Sequence, residues 1–146
     1  MGEAKNLWTK ELLSTFDIVL PITILQEQAS FFNDMTKNVV TASIDTQKIS
    51  VQSFPELKGL GSGSGINSAI VHVFKISAPS IGNYDFDLLH VIQEDLLPYP
   101  LKVISQIWED KTFDAKDGEQ LKDILEKIFN EKKVITIVQS LILQSM

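Results

Sequence analysis

The chain has 146 residues, the length of one ordinary domain, and its 44% hydrophobic and 22% charged residues are an average globular composition that excludes disorder. The net charge is −6 and no cluster of Lys and Arg is present, so binding to nucleic acid is not expected. The absence of cysteine excludes disulfides, thiolate metal ligands and cysteine nucleophiles.

The leading part of the chain is predicted to contain a short helix over residues 7–16. Trp8, Leu12 and Phe16 are spaced four residues apart, which puts them on one face of a helix. Trp8 also belongs to a set of aromatic residues that are expected near the surface, where they either anchor an interface or complete the core. That set is Trp8, Tyr99, Trp108 and Phe113.

A longer helix and a strand are predicted next. Pro21 suits the first position of a helix, and apolar residues follow it at helical spacing, which indicates packing against an apolar surface. These residues are Ile22, Leu25, Ala29, Phe32 and Met35. The alternation of Val40, Ala42 and Ile44 with polar residues then predicts a strand.

Residues 61–65 read Gly-Ser-Gly-Ser-Gly, which is the composition of a flexible connection. This pentapeptide is either an engineered replacement for a loop or a natural mobile loop, and the sequence leaves both interpretations open. In either case we expect a single domain over residues 1–146 with a loose connection inside it. A phosphate-binding loop is not expected, because the Gly-Lys-Ser/Thr ending of such loops is missing.

Two strands, over residues 69–78 and 84–93, are predicted to form a hairpin around the turn-rich segment between them. One register gives an apolar row of side chains on one face and pairs the opposite charges of Lys75 and Asp87 on the other. A slip of one residue would mix the two faces.

The same register puts His72 opposite His90 and places Tyr84 on that face near the turn. These three residues are the candidate ligand-binding residues, because neighbouring imidazoles can share a proton or contact a ligand. The other interpretation is that both histidines are ordinary core residues. No carboxylate or thiol is predicted beside them, so neither a metal site nor a cofactor is expected.

Val71, Val73, Leu89 and Val91 fall together on the opposite face of the predicted hairpin. If helices cover only one face of the sheet, these four side chains form an exposed apolar patch, and such patches mark interfaces. They are therefore the candidate interface residues, and self-association is expected.

The rest of the chain is predicted to add a strand and two helices. Residues 99–107 alternate as a strand, and Pro100 near its start favours an edge position. Asp117, with Gln120 three residues later, has the spacing of a helix capping box. Residues 134–143 are apolar nearly all round, which suits a strand or a buried helix, and the helix is favoured. The fold class is thus α+β, a meandering antiparallel sheet of about four strands with N- and C-terminal helices packed on one face.

Three short motifs carry a resemblance to a group of proteins. Glu27-Gln28-Ala29, Ala78-Pro79 followed by Asn83-Tyr84, and Tyr99-Pro100 form an "EQA…APxxxNY…YP" pattern that spans most of the chain. This pattern resembles small bacterial α+β proteins. The resemblance implies one domain and no particular activity.

Two classes of function fit these observations. The first is a non-catalytic protein-interaction or regulatory domain, such as an adaptor, an inhibitor or an immunity-like protein, that binds a protein partner or a second copy of itself. The alternative is a small-molecule-binding protein or enzyme with a pocket near His72, His90 and Tyr84. No catalytic motif is present, and no apolar run is long enough to span a membrane, so a cytoplasmic protein without membrane contact is expected.

Overall fold

The fold is described by a computed structural model for residues 4–13, 18–50, 68–95, 97–106 and 112–146. The Gly/Ser connection at 61–65 lies outside these residues, as do Phe16, Ile107 and Trp108. The helices and strands are α1 (Pro21–Thr36), β1 (Thr41–Ser50), β2 (Ser68–Ala78), β3 (Tyr84–Glu94), β4 (Leu101–Ser105), β5 (Thr112–Ala115), α2 (Gly118–Phe129) and α3 (Lys132–Ser145).

The described strands form one antiparallel sheet in the order β1-β2-β3-β4-β5. Each strand pairs with the next one along the chain, so the predicted meander and the α+β class are confirmed, with five strands rather than four. The additional strand is β5, whose four residues pair with β4. Because β4 lies between β3 and β5, the predicted edge position of Pro100 is wrong. Pro100 precedes the first residue of β4, so its missing N–H removes no hydrogen bond from the ladder.

The three helices pack on one face of the sheet, called the helix face below, and form the main hydrophobic core with it. Along the strands this face is made by alternate residues such as Ala42, Phe74, Val91 and Val103. None of the described helices is long and apolar enough to cross a membrane. The largest fully buried side chains include Ile24, Leu25, Phe74, Ile76, Leu89, Leu101, Leu121, Leu125 and Ile128.

Both segments that follow β5, α2 and α3, are helices, as predicted. Asp117 Oδ1 accepts a hydrogen bond from Gln120 N–H at 2.9 Å and caps α2 as predicted. Gln120 Oε1 accepts a hydrogen bond at 2.8 Å from Lys116 N–H, one residue before the N–H that a capping box uses. The tail is the helix α3, but it is not buried all round. Its buried residues are Val134 and Leu141, and the others are half-buried or exposed.

Of the leading helix predicted over residues 7–16, the structure describes residues 7–13, and these contain only a 3-10 helix over Lys10–Leu13. This short helix contains no buried residue, and Trp8 and Leu12, two members of the predicted apolar stripe, are exposed. An isolated helix of about ten residues is marginal in water without packing. The absence of packing among the described residues accounts for the short helix.

The predicted register of the hairpin holds from the turn as far as Lys75 and Asp87, which lie opposite each other. Beyond this pair Phe74 lies opposite Leu89, so Leu88 is an extra residue in β3 and forms a β-bulge. Every later residue of β3 is displaced by one position relative to β2. Leu88 and Leu89 are both buried in the core of the helix face, which strict alternation does not allow.

The bulge separates the four predicted interface residues. Val71 and Val73 lie on the second face of the sheet, the face opposite the helices, in a small apolar cluster. Leu89 and Val91 lie on the helix face and are completely buried. Val71 and Val73 are themselves only 7% exposed. The predicted exposed patch is therefore wrong, and an argument for self-association needs a different surface.

Asn33 of α1 binds the backbone of β1. Its Oδ1 accepts a hydrogen bond from Ala42 N–H at 2.7 Å, and its Nδ2 donates one to the Ala42 carbonyl at 3.2 Å. Since successive residues of an edge strand direct their backbone groups alternately inward and outward, both groups of Ala42 point away from β2. The side chain of Asn33 thus occupies the place of a neighbouring strand and ties α1 to the sheet.

We expect Asn33→Ala to lower the free energy of unfolding by about 1–3 kcal/mol, because the N–H and the carbonyl of Ala42 lose their partners. Urea denaturation measures this change. Ser30→Ala, at an exposed position of the same helix, is the control and should change the free energy by less than about 0.5 kcal/mol. Equal effects of the two substitutions would contradict the role assigned to Asn33.

Candidate functional site

His72 is buried in the sheet, with 4% of its surface exposed, and both of its ring nitrogens have partners. Nε2 lies 2.8 Å from Gln93 Oε1, and Nδ1 lies 2.9 Å from Thr46 Oγ1. Because the amide oxygen can only accept, Nε2 carries the proton and Nδ1 accepts from the Thr46 hydroxyl. Burial lowers the pKa of His72 below its ordinary value of 6.5, and the hydrogen bond to Gln93 opposes this shift.

His90 lies on the other face of the sheet. The bulge places Val73 opposite His90 and Val91 opposite His72, so the prediction that the two histidines face each other is wrong. The ring Nε2 of His90 lies 4.0 Å from Asp87 Oδ2. Desolvation lowers the pKa of His90, and the negative charge of Asp87 acts in the opposite direction.

Tyr84 does not join either histidine. It is the first residue of β3, lies opposite Ala78 beside the turn, and is exposed. The three candidate ligand-binding residues therefore occupy three separate places and share no pocket in the described structure. Among the described residues no group of three or more His, Cys, Asp or Glu side chains could hold a metal ion.

A concave apolar surface lies instead on the helix face, between α1 and α3. This cavity of about 370 Å³, called the α1–α3 groove below, has a floor of sheet residues that includes the bulge residue Leu88. Phe129 closes one side, and its ring centroid lies 5.3 Å from that of Phe74. The lining residues are Gln28, Phe31, Phe32, Met35, Phe74, Ile76, Leu88, Phe129, Asn130, Val134, Ile135, Val138 and Gln139.

The rim of the groove is made of exposed apolar side chains. Phe31 is 59% exposed and Met35 is 83% exposed on α1, and Ile135 is 40% exposed on α3. The polar side chains that line the groove are the amides of Gln28, Asn130 and Gln139. Such a surface can bind apolar groups and donate or accept hydrogen bonds at its edges, and its volume falls within the usual range for binding sites.

Met35 was expected in the buried stripe of α1, and this expectation is wrong. Helical spacing groups it with Phe32, which is half-buried, but Met35 also lies four residues after Phe31, and both of these side chains are exposed at the rim of the groove. The sequence signal for the groove was Phe31, an apolar residue outside the predicted stripe that lies four residues before Met35, the last member of the stripe.

The chain matches no known protein family, no curated protein sequence and no solved structure. The resemblance to small bacterial proteins with the "EQA…APxxxNY…YP" pattern consequently stays a prediction.

We expect the protein to lose stability as the pH falls from 7.5 to 5.0, in part through His72 and His90. Their folded pKa values are lowered, so the unfolded chain binds more protons near pH 6.5, and their stabilisation is lost as the pH falls through the folded values. Denaturant titrations of His72→Gln, His90→Gln and the double variant measure the effect. Each single variant should show a weaker pH dependence than the parent, and the double variant the weakest. Variants as pH-dependent as the parent would contradict this account.

Proposed function

We propose that the chain is a non-catalytic protein-interaction or regulatory domain that self-associates through the α1–α3 groove. The observation that carries this proposal is the exposure of Phe31 and Met35 at the rim of an apolar cavity. Large apolar side chains that are exposed together beside a concave apolar surface are typical of protein interfaces, because binding removes both from water.

The chemistry of the groove supports binding rather than catalysis. Its polar lining residues are Gln28, Asn130 and Gln139, whose amide side chains do not titrate. A general acid or base needs a titratable group within hydrogen-bonding reach of the substrate. The two histidines, which do titrate, lie outside the groove.

The arrangement of the rim supports self-association in particular. The exposed side chains and the cavity belong to one continuous surface of one chain. Two copies related by a twofold axis can therefore cover the groove and rim of each chain with the same part of the other, which makes the same contact twice and closes the assembly.

We expect the protein to have about twice the mass of one 16.4 kDa chain at micromolar concentration, as measured by light scattering. Ile135→Glu should reduce the mass to that of one chain, because it puts a charge on the rim of the apolar groove. Leu143→Glu, on an exposed residue of α3 that does not line the groove, is the matched control and should leave the mass unchanged.

Two outcomes would contradict the proposal. A parent protein with the mass of one chain at every concentration would exclude self-association. Loss of the dimer in both variants, or in neither, would show that the groove is not its site.

A second candidate function is the binding of an uncharged apolar molecule in the same groove, which its volume of about 370 Å³ supports. N-phenyl-1-naphthylamine, an uncharged dye that fluoresces in apolar surroundings, is a suitable probe. If this function applies, the dye binds with saturation to the parent and to Leu143→Glu but at least tenfold more weakly to Val138→Glu, whose charge would lie in the cavity. Equal binding to all three proteins would exclude it.

A further inference from the structure

We infer that the occupant of the α1–α3 groove is the leading segment, residues 4–13, of a second copy of the chain. This inference rests on the proposed self-association and names the contact that produces it. Two features of the described residues support it: an apolar groove that no described segment fills, and a leading segment whose large apolar side chains are exposed.

The leading segment carries the side chains that such a groove binds. Trp8 is 75% exposed, and Leu7, Leu12 and Leu13 are also largely exposed. Trp8 and Leu12 are four residues apart and share one face when the segment is helical. Exposed tryptophan is a frequent anchor of protein interfaces, because it buries a large apolar area at little cost in conformational entropy.

The charges of the segment complement the α1 side of the groove. Glu27, Phe31 and Asp34 form one exposed stripe along α1, at spacings of four and three residues, and α1 contains no basic residue within its bounds. The segment contains Lys5 and Lys10 with a single acidic residue. An apolar segment with two lysines therefore fits a groove whose aromatic rim is flanked by two carboxylates.

A second copy, rather than the same chain, provides the segment. All residues from 4 to 13 are exposed, and none of them lines the groove of its own chain. Reciprocal exchange between two copies buries both segments and fills both grooves. Packing on the groove also supplies the contact that a short helix needs, so the segment is expected to become more helical when it binds.

The cysteine-free sequence permits a direct test in the full chain, because two introduced cysteines are then the only thiols. Thr9→Cys lies in the segment and Gln139→Cys lies in the lining of the groove. Under mild oxidation we expect this double variant to form a covalent dimer on a non-reducing gel. The matched control is Thr9→Cys with Gln144→Cys, an exposed residue of α3 outside the groove, and should form at least tenfold less dimer.

A second measurement uses no cysteine. Trp8→Ala should weaken the dimer at least tenfold in a dilution series followed by light scattering, because it removes the proposed anchor. Leu97→Ala, at another exposed apolar residue, is its control and should have no effect.

The possible outcomes separate this inference from the proposed function. A link within one chain instead of between two would overturn the second copy as the source of the segment. Equal cross-linking in test and control, with a dimer that Ile135→Glu still abolishes, would overturn the segment as the occupant and leave the self-association in place. A protein that is monomeric throughout would overturn both.

Discussion

Leu88 has no partner on β2 and forms a bulge. This bulge decides on which face of the sheet His90, Leu89 and Val91 lie, and Leu88 itself lines the groove. The bulge turns Leu88 and Leu89 to the same side, so the helix face gains one apolar side chain in its floor. It also exchanges the faces of the residues that follow. His90 moves to the second face beside Asp87, and Gln93 comes within hydrogen-bonding distance of His72. In a sheet without the bulge, two imidazoles would lie together among apolar side chains and each would oppose the protonation of the other. The bulge gives each histidine a polar neighbour of its own.

Most of the fold follows from periodicity in the sequence, and the errors have identifiable physical causes. The helices and the long strands repeat with periods of 3.6 and 2 over many residues, so their type and order are predictable. Strict alternation does not anticipate a residue inserted in one strand. For that reason it predicts the wrong faces of the sheet for Leu89, His90 and Val91. β5 was missed because four residues, two of them polar, are too few to show a period.

The groove could not be predicted because it depends on distances between helices that are far apart in the sequence. Helical spacing tells which residues of α1 share a face, but it does not tell which of these residues the neighbouring elements cover. Only Asn130 and Glu131 separate α2 from α3, and the contact of Phe129 with Phe74 holds this connection against β2. The start of α3 therefore stays near the end of α2.

The hydrogen bonds between Asn33 and Ala42 have a consequence for the behaviour of the protein at high concentration. β1 is a long strand at the edge of the described sheet, and an unpaired edge is a template on which strands of other molecules can add, as in fibril growth. At Ala42 the outward backbone groups are already bound by the Asn33 carboxamide. An incoming strand would have to displace this side chain before it could pair along the full length of β1. The side-chain amide of Asn33 thus protects one end of this edge strand against aggregation, although the strand has neither a proline nor a charged residue at that point.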